Sequence, residues 1–145
     1  MSEYITQIPN LEKGNVYTID VADSESAVNV IMELVHRLCV IYNTAVGYID
    51  LNDHIAAIRQ QCSDRKYTAV LNCIKQNNPD SDTVIRRMEG LYNRRFVRAF
   101  IIDGADRLKV SGADGKLMDD PSKVATKLDL LANKKKVPIV AIITK

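Results

Sequence analysis

Cysteine is scarce in this sequence of 145 residues, and neither sign of charge is in real excess. The three cysteines, Cys39, Cys62 and Cys73, are odd in number and form no C-x-x-C pair. That argues against a disulfide framework or a zinc site and for a reducing, cytoplasmic setting. The formal net charge of +2 is too small to demand a polyanionic partner by itself. The opening residues, MSEYITQIPNLEKG, hold no apolar run of the kind a secretion signal uses. No stretch approaches the roughly 20 apolar residues of a membrane span, so no membrane partner is expected. Internal repeats and low-complexity segments are missing too. One local absence matters more than these: no lysine or arginine lies between Lys13 and Arg37.

What the sequence does have is apolar material, 46% of residues, with 26% charged. That suffices for one core, and residues 1–145 read as a single domain. Four short runs rich in β-branched residues, Val16–Val21, Ala45–Leu51, Val97–Ile102 and Pro138–Ile143, read as strands covered on both faces. Helical spacing separates them. Ser24 can cap a helix bearing Val28, Ile31, Val35 and Leu38, and Asp53 one bearing Ile55, Ile58 and Cys62. A third helix is expected over Tyr67–Lys75 and a fourth from Asp82 through Val84, Met88 and Leu91. A fifth starts at Asp120–Pro121, with Lys134–Lys136 at its end. Ser111–Asp120, with two glycines and three aspartates, reads as a mobile loop. The alternation predicts an α/β three-layer sandwich with a mainly parallel sheet of four to five strands.

Ligands of such sheets bind beyond the carboxyl ends of the strands, where Asp20, Asp50 and Asp103 fall. Carboxylates there suit a divalent metal or phosphoryl chemistry, though aspartate also commonly begins loops and caps helices. His36 and His54 have no second histidine or cysteine at ligand spacing and read as structural. Tyr42, Tyr48, Tyr67 and Tyr92 are expected at the core edge with wet hydroxyls. Arg86, Arg87, Arg94, Arg95 and Arg98 could line a nucleic-acid face, although no aromatic residue alternates with them.

Three stretches, taken in order, resemble the RecA-like motor domain of DnaB-type replicative helicases. Gly14–Leu34 (GNVYTIDVADSESAVNVIMEL) resembles the strand, loop and helix that carry the Walker A motif. Val46–His54 (VGYIDLNDH) resembles the second strand, which in that family ends in a catalytic glutamate. Val97–Lys145, with IIDGADRL and KLDLLANKKKVPIVAIITK, resembles the Walker B strand, a helix and the next strand. The likeness covers most of the chain and is weakest over Ala56–Pro79. It implies a truncated P-loop fold of the RecA type.

It also implies that the chemistry is gone. A working loop reads G-x-x-x-x-G-K-S/T, because backbone N–H groups wrap the phosphates, lysine neutralises them and a hydroxyl holds Mg²⁺. An ungapped match puts Val21 and Ser26 at the two glycines, Ala27 at the lysine and Val28 at the hydroxyl. Asp23 and Glu25 add like charge, at about 1 to 4 kcal/mol per pair with a phosphate, depending on the dielectric. The glutamate position is Asn52, or Asp53 if the match shifts by one. Asp103 corresponds to the Walker B aspartate, Gly104 stands where a DEAD-type sequence would place its glutamate, and Thr144 replaces a glutamine. The family's further strands, DNA-contacting loops, arginine finger and N-terminal collar find no counterpart here. The resemblance thus implies no catalytic residues, no resident metal, and no binding of ATP or Mg²⁺. The expected role is a degenerate helicase-like module acting through a protein partner or self-association, in a DNA replication or mobile-element setting. The rival readings are a nucleic-acid accessory protein using the basic helix, and a Mg²⁺-dependent phosphoryl enzyme using the strand-end aspartates.

Overall fold

The computed structural model describes residues 11–41, 43–64 and 71–144. In chain order the elements are β1 (Val16–Val21), α1 (Ser24–His36), β2 (Val46–Asp50), α2 (Ile55–Asp64), β3 (Leu71–Lys75), α3 (Ser81–Arg95) and β4 (Ala99–Asp103). A short turn, Ala105–Arg107, leads to β5 (Val110–Ser111) and β6 (Leu117–Met118), then α4 (Pro121–Lys135) and β7 (Ile139–Thr144). The main sheet has five parallel strands in the order β1-β7-β4-β2-β3. The α/β sandwich expected from the sequence is therefore present.

The sequence forms this sheet because its apolar runs can be covered twice. All five residues of β2 and of β4 are buried. On one face, Val46, Tyr48, Ile101, Val140 and Ile142 pack against Val30, Ile31 and Leu34 of α1 and Ile58 of α2. On the other, Ile49, Phe100, Ile102 and Ile139 meet Val84 and Met88 of α3 and Val124 and Leu128 of α4. Each such large side chain contributes about 1.5 to 3 kcal/mol relative to exposure. Gly47 permits the tightest approach, since a Cβ there would sit 2.8 Å from the Phe100 ring.

Several local expectations need correcting. Leu71–Lys75 is a strand paired with β2, not the end of a helix, and residues 67–70 lie outside the described residues. A run this short has no decisive period, so pairing with the neighbouring strand decides it. Ser111–Asp120 is not simply a loop, because its Leu117 and Met118 pair antiparallel with Ser111 and Val110. Two caps shift upstream. Asp23, not Ser24, accepts the Ser26 N–H at 2.8 Å. The helix expected from Asp82 begins one residue earlier, at Ser81, and Asp80 caps it. Asp53 does not cap α2; it sits at φ 61, and Asp50 takes that role. Asp120 and Pro121 open α4 as expected.

Candidate functional site

In a parallel pair, Asp50 of β2 lies opposite Asp103 of β4. Both point to the face covered by α1 and α2, with Tyr48 two residues before Asp50. Asp50 is almost wholly buried. Its Oδ2 accepts the backbone N–H groups of His54 and Ile55 at 2.7 Å, and its Oδ1 that of Asn52 at 2.9 Å. It thus satisfies the orphan donors at the start of α2.

Asp103 has no exposed surface. Its Oδ2 accepts from the Tyr48 hydroxyl at 2.7 Å and lies 2.7 Å from His54 Nδ1. Its Oδ1 accepts from Asn52 Nδ2 at 3.1 Å. Burial, then the Asp103 charge, pushes the Tyr48 phenol far above its usual range. Tyr48 is therefore not at the wet edge of the core; it is fully buried. Tyr42 and Tyr67 lie outside the described residues, and Tyr92 is half-buried.

Asp50, His54 and Asp103 bring their oxygen and nitrogen atoms within 4.8 Å of one another. That geometry could admit a cation, but each carboxylate oxygen already accepts at least one hydrogen bond. A metal would have to displace these donors, so the donor set favours a closed hydrogen-bonded cluster. Asp20 is exposed and lies outside that group.

Gly104 and Asn52 prove to be neighbours. Gly104 has φ +92, and a Cβ there would meet the Asn52 amide at 2.9 Å. Glycine at 104 therefore has a conformational and a steric reason beside any lost base. A small cavity of about 190 Å³ opens beside the cluster, lined by Ser24, Asn52, His54, Asp106, Arg107 and Thr144. Thr144 Oγ1 is buried there without a hydrogen-bond partner.

The stretch matched to the Walker A motif is not a loop. Val21 ends β1 and is 2% exposed. Only Ala22 and Asp23 separate it from α1, so Ser26, Ala27 and Val28 are already helical. The Asp23 carboxylate holds the first turn, and the Ser26 N–H keeps its pKa below the ordinary value of 3.8.

The five arginines divide. Arg86, Arg87, Arg94 and Arg95 line a groove of about 470 Å³ between α3 and β3. Arg98 instead stacks 3.9 Å from the Tyr92 ring centroid and donates to the Tyr92 and Val97 carbonyls. Lys135 Nζ also lies over the Tyr92 ring, 5.0 Å from its centroid. Phe96, which sequence reasoning passed over, is 73% exposed at the C-cap of α3. Burial raises the Cys39 thiol to about 11 and also lifts that of Cys73, which suits unreactive thiols.

Among solved structures, the chain is similar to a KaiC-like protein from the hyperthermophilic archaeon Pyrococcus horikoshii. The TM-score is 0.67 over 92% of this chain. The fold is RecA-like. Sequence identity is 11%, and this chain spans 62% of the length of that one, so the likeness concerns architecture alone. No model of a known protein family matches, and no curated protein matches by sequence. Among the described residues, no helix is long and apolar enough to cross a membrane.

Proposed function

We propose that this chain is a catalytically inactive RecA-like module that works by contact with another protein or with a second copy of itself. The observation that carries this reading is the junction between β1 and α1. Polyphosphate recognition needs a wide loop of free N–H groups, and here two residues join strand to helix. The first turn of α1 is held by the protein's own carboxylate, Asp23. The cation and hydroxyl positions are Ala27 and Val28, one buried and one half-buried among apolar neighbours. ATP and Mg²⁺ therefore do not fit the residues present. Asp103, the Walker B counterpart, supports the same reading, because both its oxygens are engaged within the core. The DnaB-type resemblance of the sequence adds a context of DNA replication or mobile elements.

Calorimetric titration with ATP and Mg²⁺ tests the proposal, with no binding heat expected at millimolar nucleotide. Micromolar affinity, or hydrolysis abolished by Asp103→Ala, would overturn it.

One observation favours a second reading, nucleic-acid binding. Phe96 is exposed directly after Arg94 and Arg95, next to the Tyr92–Arg98 stack. An aromatic ring amid cations suits single-strand stacking. It predicts salt-dependent oligonucleotide binding that Phe96→Ala weakens. Retention that ignores salt and Phe96 would refute it. The phosphoryl-enzyme reading draws no support from the site, since Asp20 stands apart and the other two aspartates are fully hydrogen-bonded.

A further inference from the structure

The proposed contact role leaves open where a partner sits. β3 is the last strand of the sheet, and among the described residues nothing pairs with its outer edge. Unpaired edge N–H and C=O groups can accept a further strand. Each face of β3 has its own cavity. On the α3 side is the groove of about 470 Å³, with Arg86, Arg87, Arg94 and Arg95 around Ile74. On the α2 side is one of about 370 Å³, lined by Arg59, Cys62, Ser63, Leu71 and Cys73.

None of the four α3 arginines forms an ion pair with a carboxylate among the described residues. Arg86 donates only to Thr83 Oγ1, at 3.3 Å. Four guanidinium groups on one groove lined by no carboxylate suit an anionic occupant. Alternate residues of an extended chain point to opposite faces. A strand laid along β3 would thus send every second side chain to the arginines and the others toward Leu71 and Cys73.

We infer that the β3 edge takes an extended acidic segment of a partner protein, with Asp or Glu at alternate positions and small aliphatic residues between them. The inference rests on the contact-module reading and names the chemistry of the partner. A single-stranded nucleic acid fits this groove less well. It offers no strand-type N–H and C=O ladder, and no aromatic ring lines the groove for base stacking.

The test uses the full chain and a labelled, end-blocked peptide of alternating glutamate and valine. The comparison probes are a peptide of the same composition with its glutamates contiguous, and oligothymidylate. Fluorescence anisotropy should show binding of the alternating peptide, weakened about tenfold or more by the exposed pair Arg87→Glu and Arg94→Glu, which removes two charge-assisted contacts. Amide exchange over Leu71–Lys75 should slow when the peptide is bound, because strand addition protects edge amides. Equal binding of the contiguous peptide, tighter binding of oligothymidylate, or binding that leaves β3 exchange unchanged would each overturn the inference. No peptide binding, with ATP still refused, removes this docking site and leaves the contact-module reading standing. ATP binding alongside intact peptide docking removes that reading and keeps the site.

Discussion

The carboxyl end of the sheet and the groove beside β3 hold charge in opposite ways. At the carboxyl end, Asp50 and Asp103 are buried, and every carboxylate oxygen accepts a hydrogen bond. Beside β3, Arg87, Arg94 and Arg95 are exposed and form no ion pair with a carboxylate among the described residues. Buried charge whose partners are complete serves the fold, and removing it strands those partners. Exposed charge without partners adds little to stability and remains available for binding. The position that resembles a catalytic motif thus has its partners inside the fold, and under the proposed contact role the surface with no motif is the better contact candidate.

The sharpest way to break this contrast is Asp103→Ala. It would leave the Tyr48 hydroxyl and Asn52 Nδ2 without their acceptor and remove the oxygen that lies 2.7 Å from His54 Nδ1. A loss of about 3 to 5 kcal/mol, read from urea unfolding, is expected, because more than one buried donor is left unsatisfied at about 1 to 3 kcal/mol each. A loss under about 1 kcal/mol would mean the carboxylate is not structural and would reopen a ligand role. Next in size is Gly104→Ala, expected to cost about 1 to 3 kcal/mol for left-handed backbone strain. Part of that cost should vanish in an Asn52→Ala background, because the Asn52 amide is what a Cβ would strike. Full additivity of the two substitutions would count against that contact. Tyr48→Phe should cost about 1 to 2 kcal/mol by removing one donor from Asp103. At the other pole, Arg87→Ala and Arg94→Ala should each change stability by no more than about 0.5 kcal/mol. A larger loss would show that the groove, too, is part of the scaffold.

How far the sequence exposed these features depended on the kind of interaction. β2 and β4 could be read because burial on both faces leaves an unbroken apolar run. Leu71–Lys75 could not, since an edge strand is only half-buried and its LNCIK sequence has no decisive period. Asp103 at a strand end was legible. That Tyr48 and His54 close on it was not, because those contacts span 55 and 49 residues of chain. Tyr48 did carry a faint signal, standing two residues before Asp50 and so on its face. The cap on α1 was misplaced by a single residue, because Asp23 and Ser24 are both good N-caps and only backbone geometry separates them.

That cap also yields the smallest effect, one that bears directly on the nucleotide question. The Asp23 carboxyl is held below its ordinary 3.8 by the Ser26 N–H. A carboxyl with a depressed folded pKa stabilises the protein above the unfolded value, and that contribution is lost as pH falls through the folded value. Asp23→Asn keeps an oxygen to accept the same N–H but carries no charge and does not titrate. Wild type should therefore be slightly more stable than the variant at about pH 6, and the gap should be narrower at about pH 3, below the ordinary carboxyl value. Urea midpoints of the two proteins at both pH values make the measurement. A gap that stays constant across the range would mean that the carboxylate does not hold the first turn of α1 in solution. Its N–H groups would then be free for an anion, and the strongest argument against a phosphate at this junction would fall.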